Sequence, residues 1–331
     1  MKIGITFDLK ASQPLDPSLP DDQQEEFDSI DTVEAVARVL RQLGHDPALL
    51  GDGPALLRSL LDDPPDLVFN FAEGQGISRS REARVPAVLE MLGIPHTGSD
   101  PLTLAVTLDK ECARRLVHSH GGRVPRGEVF APEADLAAVR ARSSLPHPMI
   151  VKPAWEGSSK GIRGKCIVET PAELASALEV RRDQRQPLLV EEFIEGEELT
   201  VGVMGNETPR VLGVLRVVPT QATSRFVYSL EVKRDWERQV RYECPPSLPA
   251  EHLRAVEEAA LLAYRALGVR DIARIDFRLR DGVPYFLEAN PLPGLNPETG
   301  DLVILARMSG VPYNDLIGGI LHAAMRRYGM M

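Results

Sequence analysis

The chain has 331 residues, 43% of them hydrophobic, so it is long enough for two or three globular domains and is not a disordered protein. Its 48 acidic and 38 basic residues give a net charge of −10, which disfavours sequence-independent binding to nucleic acid or to an anionic membrane. The expected partners are small molecules or proteins.

The cysteines and the N-terminus indicate a reducing compartment. Cys112, Cys166 and Cys244 are far apart and form no Cys-x-x-Cys pair, which predicts buried thiols and not a disulfide framework or a zinc site. The apolar run in MKIGITFDLK is too short for a signal peptide, and no stretch approaches the roughly 20 apolar residues of a membrane span. We therefore expect a cytoplasmic protein without a membrane partner.

The first third of the chain alternates strands and helices. Residues 3–7 form a predicted strand, and after a polar segment at 12–25 the apolar residues of 30–43 recur at the spacing of an amphipathic helix. A second pair follows, with LVFNF as a strand and residues 86–92 as a helix that stops at Gly93. This pattern predicts a βαβ-type domain over residues 1–103.

The rest of the chain mixes strands and helices. A helix is predicted to begin near Asp109, and HPMIVKPA and GKCIVE are predicted strands joined by the loop between them. PLLVEEFIEGEELTVGVMG and PRVLGVLRVV predict further strands, before a helix over residues 253–267. We expect an α/β (α+β) fold with a small central unit over residues 104–190 and a C-terminal unit over residues 191–331.

The loop in IVKPAWEGSSKGI, residues 150–162, combines a lysine at the end of an apolar run with a turn of small residues. Glycine and serine allow backbone N–H groups to approach a phosphate closely, and the lysine adds positive charge. The spacing differs from that of a Walker loop. Taken alone, Lys152 is equally plausible as an ordinary surface lysine.

Two strand-like runs near the C-terminus, in ARIDFRLRDGVPYFLEANPLPGLN, carry candidate metal ligands. Because odd positions are apolar in both runs, we predict a three-residue turn, 280–282, which places Arg274 opposite Glu288. Asp276 and Asn290 then lie beside them on the same face. Two carboxylates and an amide oxygen suit a hard cation such as Mg²⁺, although a solvated face with an Arg–Glu pair fits these residues equally well.

Four features occur in a fixed order: Lys152, the loop 157–161, the acidic run VEEF and the Asp276/Glu288/Asn290 face. In this order they resemble ATP-grasp enzymes, most closely D-alanine–D-alanine ligases and related dipeptide-forming carboxylate-amine ligases. VKPAWEGSSKGI is similar to the phosphate-covering loop of that family, and ARIDF and LEANPLPG are similar to its metal strands. The resemblance implies an ATP-grasp fold preceded by an N-terminal βαβ pre-ATP-grasp domain, and a homodimer.

The resemblance also implies which residues bind ATP. Two lysines would lie on the α and β phosphates, the loop would cover the γ phosphate, an acidic strand and its continuation would meet adenine and ribose, and a lysine on a mobile loop would close over the nucleotide. In that order, these residues are Lys110 and Lys152; Gly157, Ser158 and Ser159; Glu191, Phe193, Ile194 and Glu198; and Lys233. For an isolated Glu-Glu pair, a solvated strand edge is the commoner explanation.

The chemistry implied by the resemblance is acyl transfer in two steps. ATP phosphorylates a carboxylate, which otherwise lacks a leaving group, and an amine then displaces the phosphate. Mg²⁺, or Mn²⁺ in its place, would be held by Asp276, Glu288 and Asn290. A tetrahedral intermediate would be stabilised by Arg274 and the Gly294 backbone, and the catalytic set would also include Lys233 and Ser158.

Three departures from the ligase pattern affect the amino-acid pocket. The glutamate that orients the first amino group has only loose counterparts, Glu26 or Asp28. Arg81-Glu82 stands where two acids are expected, and Arg234 stands where a tyrosine is common. We expect these arginines to select a substrate with an additional carboxylate, unless they pair with acidic residues on mobile loops.

The sequence therefore predicts an ATP-dependent acid–amino-acid ligase that joins amino acids or peptides and releases ADP and phosphate. One alternative is D-alanine–D-alanine ligase itself, acting in peptidoglycan precursor synthesis. Another is a phosphotransferase or a nucleotide-binding regulator, although the intact metal set argues against a regulator. A dinucleotide dehydrogenase is disfavoured because the first strand lacks a Gly-x-Gly-x-x-Gly turn.

Overall fold

A computed structural model describes residues 1–10, 21–131, 134, 145–162, 166–180, 186–221 and 225–331. Three sheets, built from successive stretches of the chain, organise these residues. Within the described ranges, no helix is both long and apolar enough to cross a bilayer. Most of the polar segment predicted at 12–25 lies outside the described residues.

The N-terminal sheet is parallel, with strand order β2-β1-β3. Its strands are β1 (Lys2–Thr6), β2 (Asp46–Leu49) and β3 (Leu67–Asn70), and the helices of this region are α1 (Ile30–Gln42), α2 (Gly53–Asp62) and α3 (Arg84–Leu92). The side chain of Ser29 caps α1 by accepting a hydrogen bond from the Thr32 backbone N–H. The predicted βαβ arrangement is confirmed.

The central sheet is antiparallel, with strand order β4-β7-β5-β6. Its strands are β4 (Gly127–Phe130), β5 (Met149–Pro153), β6 (Ile167–Val168) and β7 (Leu188–Glu192); α4 (Pro101–Leu108) and α5 (Lys110–Ser119) precede it, and α6 (Pro171–Val180) follows β6. Val151 and Val190 pair across the sheet and point into its core. The alternation of a strand therefore turns Lys152 and Glu191 to the opposite face.

The C-terminal sheet is also antiparallel, with strand order β10-β9-β8-β11-β12. Its strands are β8 (Glu197–Met204), β9 (Arg210–Pro219), β10 (Val240–Glu243), β11 (Ile272–Arg280) and β12 (Val283–Asn290). The accompanying helices are α7 (Leu230–Arg234), α8 (Trp236–Gln239), α9 (Ala250–Ala266), α10 (Asp301–Met308) and α11 (Tyr313–Arg327). One sheet face packs on α9, and apolar residues of α10 and α11 form a common core with the N-terminal sheet.

The β11–β12 hairpin corrects the predicted register. Its turn has two residues, Asp281 and Gly282, with φ values of 52° and 76°, so the predicted three-residue turn is wrong. A register shift between Asp276 and Phe277 pairs Asp276 with Glu288, and Arg274 with Asn290. These four side chains still share one face, because the unpaired residue required by the alternation lies in a β-bulge and not in the turn.

The predicted boundary at residue 190 cuts through a strand. Strand β7 spans residues 188–192 and pairs with β4 and β5 of the central sheet. A boundary after Glu192 keeps this strand in the central unit. The other predicted boundary, at residue 103, falls within α4.

Asp271 connects three distant parts of the chain. Its side chain is fully buried, and the carboxylate accepts hydrogen bonds from Gly98 N, Asn206 Nδ2 and Arg327 Nη2, each at 2.8 Å. Gly98 lies between α3 and α4, Asn206 follows β8, and Arg327 ends α11. The Asp271 carboxylate thus joins the N-terminal domain to the C-terminal sheet.

We expect Asp271→Asn to lower the free energy of unfolding by about 3 kcal/mol, because it leaves the Arg327 guanidinium without its counter-charge. Asparagine keeps the shape of the side chain and tolerates the φ of 64° at this position. Asp281→Asn is the matched control, since Asp281 is exposed and also has a positive φ; a change within about 0.5 kcal/mol is expected. Urea unfolding measures both variants, and equal losses would contradict the role of Asp271.

Candidate active site

Most of the residues predicted to bind ATP and metal converge on a cavity between the central and C-terminal sheets, here called the inter-sheet cavity. Strands β5, β7, β8, β11 and β12 supply most of its polar side chains. The predicted residues that line it are Lys152, Ser159, Glu191, Phe193, Ile194, Glu198, Lys233, Arg274, Asp276 and Glu288. The structure thus brings together groups that are up to 136 positions apart in the sequence. The other residues predicted to bind ATP and metal, Lys110, Gly157, Ser158 and Asn290, line a neighbouring cavity.

An ion pair and a stacked arginine shape one part of this cavity. The Lys152 ammonium lies 2.6 Å from the Glu191 carboxylate, and both side chains are buried. The Arg278 guanidinium lies 4.8 Å from the centre of the Phe193 ring and donates a hydrogen bond to Glu198 Oε2 at 2.6 Å. Burial raises the pKa of Glu198, although Arg278 opposes this change. Arg278 was missed by the sequence analysis, although its position two residues after Asp276 predicts the same face.

The predicted metal face is held by hydrogen bonds and ion pairs. Asp276 accepts from Thr200 Oγ1 at 2.9 Å and from Arg274 Nη2 at 2.9 Å. Glu288 lies 3.1 Å from the Lys110 ammonium. Burial alone would raise the pKa of Glu288, but Lys110, Lys152 and Arg274 outweigh it and lower the pKa to about 2. Glu288 is therefore ionised at neutral pH.

These residues fit a hard divalent cation. Asp276 and Glu288 face each other across β11 and β12, and Asn290 lies beside Asp276, with its Nδ2 at 3.3 Å from Asp276 Oδ2. Within the described part of the chain, no three His, Cys, Asp or Glu side chains cluster closely enough to hold a metal. A cation here would therefore need oxygen ligands from its substrate, which is how Mg²⁺ commonly binds with phosphates.

A second cavity, here called the N-terminal cavity, adjoins the first and has a volume of about 330 Å³. The residues that line both cavities are Tyr228, Lys233, Arg274, Glu288 and Asp301. Arg274 Nη1 lies 3.1 Å from Asp301 Oδ2, and Lys233 Nζ lies 3.5 Å from the same oxygen. Burial would lower the pKa of Arg274, but Asp276 and Asp301 raise it, so the guanidinium stays charged. The sequence analysis did not identify Asp301 as a site residue, because Asp301 is the first residue of α10 and belongs to no recognisable motif.

The small-residue loop lies across the boundary of the two cavities. Ser158 lines the N-terminal cavity, and Ser159 lines the inter-sheet cavity. Both serines have positive φ, 48° and 60°. Gly157 N donates to Glu26 Oε1 at 2.6 Å, and Gly161 N donates to Asp22 Oδ2 at 3.0 Å. Carboxylates of the N-terminal segment therefore hold the loop at both ends.

Arg81 and Glu26 form a buried pair. Arg81 is only 1% exposed; its Nη2 lies 2.8 Å from Glu26 Oε2, and its Nη1 donates to the Trp155 carbonyl at 2.7 Å. Burial would raise the pKa of Glu26, but Arg81 and Lys160 outweigh it and lower it. Lys160 Nζ lies 3.2 Å from Glu26 and 2.6 Å from Glu156. Glu26 is thus already paired within the chain.

The expectation that Arg81 and Arg234 receive a substrate carboxylate does not fit this geometry. Arg234 lies 2.9 Å from Asp21 Oδ2 and 2.8 Å from Glu25 Oε2. Both guanidinium groups are neutralised by the N-terminal segment, because residues far away in sequence fold against them. Pairing within the chain, the alternative expected from the sequence, describes both arginines better. Their partners lie on the N-terminal segment and not on the loops that carry the arginines.

Acidic side chains in the N-terminal cavity are less well compensated. Burial raises the pKa of Asp28 to about 7, against an opposing effect of Lys10. Burial also raises the pKa of Glu82 to about 8, against an opposing effect of Arg81. Glu73, which the sequence analysis did not place in the site, lines the same cavity, and burial followed by repulsion from Glu82 raises its pKa well above the usual value.

Known proteins are similar to this chain in sequence and in fold. A family profile described as the D-ala D-ala ligase C-terminus matches residues 127–322. The D-alanine–D-alanine ligase of Aquifex aeolicus is 35% identical over 296 residues, which cover 88% of this chain and 94% of that protein. The uncharacterized protein y4sG of Sinorhizobium fredii is 33% identical over 306 residues, 89% of this chain and 88% of its own length. The crystal structure of Bacillus anthracis D-alanine–D-alanine ligase complexed with ATP superimposes with a TM-score of 0.75 and 23% identity, covering 99% of both chains.

These similarities confirm the family and the fold expected from the sequence. The profile covers more than half of the chain, and the Aquifex relative matches over nearly its full length. The chain therefore belongs to the D-alanine–D-alanine ligase family of ATP-grasp proteins and is an ATP-dependent ligase that forms carbon–nitrogen bonds.

Proposed function

We propose that this ligase joins two amino acids through an acyl phosphate, with ATP in the inter-sheet cavity and the amino acids in the N-terminal cavity. The observation that carries this proposal is the meeting of the two cavities at Lys233, Arg274 and Glu288. A γ phosphate and a carboxylate can react only where their sites touch, and two cations at this junction would offset the charge of both anions.

The phosphates of the nucleotide would replace two carboxylates as the ion-pair partners of the lysines in the cleft. Lys152 and Lys110 now pair with Glu191 and Glu288, and their ammonium groups would turn to the α and β phosphates. Glu191 and the backbone near Phe193 and Ile194 would meet the adenine, and Glu198 the ribose hydroxyls. Gly157, Ser158 and Ser159 would cover the γ phosphate. Lys233 would close over the nucleotide from the loop that carries α7.

Asp276, Glu288 and Asn290 would hold Mg²⁺ or Mn²⁺, which would neutralise charge on the transferring phosphoryl group. Arg274 contacts Asp276 and Asp301 in the structure, and this pairing fixes the direction of its guanidinium. Its N–H groups would bind the oxyanion of the tetrahedral intermediate, with the Gly294 backbone as a second donor in the N-terminal cavity.

The two steps conserve atoms as follows. A carboxylate oxygen of the first amino acid attacks the γ phosphorus, and ADP leaves. The uncharged amine of the second amino acid then attacks the carbonyl carbon, and phosphate leaves with the oxygen that formed the bridge and takes up the proton that the nitrogen loses. Since the reaction is an acyl transfer to a free amine, no serine or cysteine nucleophile is needed.

D-alanine at both positions is the second candidate, favoured by the names of the relatives. The altered residues around Glu26, Arg81 and Arg234 favour a different pair of amino acids or a peptide substrate. On the same family resemblance, we also propose that the protein is a homodimer and acts in the cytoplasm.

Phosphate release with ATP and Mg²⁺ tests the proposed reaction, using D- and L-amino acids singly and in pairs. We expect full turnover only when a carboxylate donor and an amine acceptor are both present, with an amide product in the mass spectrum. A phosphorylated product that is released without any amine would identify a phosphotransferase and would contradict the proposal.

We expect Asp276→Asn and Glu288→Gln each to lower kcat by at least about 100-fold and to raise the Mg²⁺ concentration needed for half-maximal rate, because each removes a charged oxygen ligand. The matched control is Glu298→Gln, at an exposed carboxylate of the same domain, which should retain wild-type kinetics. Circular dichroism checks that all three variants fold. Unchanged Mg²⁺ dependence in folded Glu288→Gln would refute the metal assignment.

We expect Gly157→Ala to raise KM for ATP about tenfold or more and to lower kcat, because a Cβ at this position lies 2.8 Å from Glu26 Oε1 and pushes the loop away. Gly318→Ala in α11 is the control, since its Cβ meets Leu43 Cδ1 at an ordinary 3.5 Å. Steady-state kinetics with varied ATP separate the two variants. If Gly157→Ala behaves like Gly318→Ala, the loop does not cover the nucleotide.

A further inference from the structure

The N-terminal cavity contains carboxyl groups that have no ion-pair partner within the described part of the chain. Eight acidic and five basic side chains line it. Five of the acids have an ion-pair partner: Glu25, Glu26, Glu156, Glu288 and Asp301. Among the residues that the structure describes, no ion pair involves the other three, Asp28, Glu73 and Glu82.

Glu82 is the clearest case. It is 7% exposed and lines the cavity, and no described side chain or backbone N–H donates a hydrogen bond to its carboxylate. Its neighbour Arg81 directs its guanidinium to Glu26 and to the Trp155 carbonyl instead. A buried carboxylate without a partner is costly, so this arrangement suits a site that a positively charged group completes.

Glu73 belongs to the same charged group. Burial raises its pKa, and repulsion from Glu82 and then from Glu26 raises it further. Both Glu73 and Glu82 line the cavity that adjoins Arg274. Since Glu26 is paired with Arg81 and Lys160, it does not compete for a ligand that binds Glu73 and Glu82.

One α-ammonium group does not account for this charge. During peptide bond formation the first amino acid keeps its ammonium, whereas the amine of the second must be uncharged to attack. Asp28, which lines the cavity near Lys10, is sufficient as the partner of that one ammonium. Glu73 and Glu82 then remain without a positive charge from two neutral amino acids such as alanine.

A metal ion is a poor match for these carboxylates. In the described ranges, no third His, Cys, Asp or Glu side chain converges on them, and unlike Asp276 and Glu288 they do not line the inter-sheet cavity, where phosphate oxygens would complete the ligands of a metal. A longer organic cation can reach separate carboxylates, because its alkyl chain spans the distance between them. The cavity volume of about 330 Å³ lies within the range of small-molecule sites.

Building on the proposed function, we propose that one of the two amino-acid substrates carries an ammonium or guanidinium group in its side chain, and that Glu82 and Glu73 bind this group. The amino acid is thus of the ornithine, lysine or arginine type. Its cationic side chain is the ion-pair partner that these two carboxyl groups lack within the described part of the chain. This specificity is opposite to the additional carboxylate expected from the sequence.

The test compares cationic amino acids with neutral amino acids of similar length. Phosphate release gives kcat/KM for D- and L-ornithine and lysine against norvaline and norleucine, each supplied as donor and as acceptor with a common partner. We expect at least about a tenfold preference for the cationic member at one position, since a buried charged hydrogen bond contributes at this level. Mass spectrometry identifies the amide product.

Glu82→Gln and Glu73→Gln should reduce this preference to near unity, because glutamine keeps the shape of the side chain and removes its charge. Glu90→Gln, at an exposed position of α3, is the matched control and should keep the full preference. Amide formation with equal kcat/KM for lysine and norleucine would overturn the inference and leave the proposed reaction intact. No amide from any pair of amino acids would overturn both.

Discussion

The active-site cleft depends on the rule that buried charges must be paired. Lys152 pairs with Glu191 across two neighbouring strands of the central sheet, and Lys110 at the start of α5 pairs with Glu288 of the C-terminal sheet. An unpaired ion in such a place costs several kcal/mol, so the protein supplies a carboxylate for each cation. In the proposed function, a polyphosphate would take over these two lysines as their counter-charge, so that neither ammonium group is left unpaired.

The same rule explains how the N-terminal domain takes part in the site. Glu26 lies on the segment before α1, yet it pairs with Arg81 after β3 and with Lys160 in the small-residue loop. These contacts fix the loop against the domain that supplies one wall of the N-terminal cavity. A substitution at any of the three positions should therefore affect both nucleotide and amino-acid binding.

Much of the site was predictable because it follows strand periodicity and local motifs. The alternation in ARIDF and LEAN predicts that Arg274, Asp276, Glu288 and Asn290 share a face, and they do. The exact pairing was not predictable, since periodicity requires one unpaired residue but does not say whether a turn or a bulge holds it. The Asp281-Gly282 turn decides this in favour of the bulge.

Ion pairs between distant segments were beyond the reach of the sequence. Arg81 and Glu26 are 55 residues apart, and no local pattern connects them. The sequence therefore left two possibilities for the arginine, binding of a substrate carboxylate or pairing within the chain, and the fold pairs it with Glu26. Glu82 was a candidate substrate residue from the sequence, but its lack of an ion-pair partner among the described residues, and the place of Glu73 in the same cavity, follow only from the fold.

The acyl-phosphate route is the central claim, and oxygen-18 transfer tests it most directly. The donor amino acid is labelled with oxygen-18 in its carboxylate, and the phosphate released during amide formation is analysed by mass spectrometry. The account predicts that one labelled oxygen per turnover passes from the carboxylate into the phosphate. Phosphate without the label, in the presence of amide product, would contradict it.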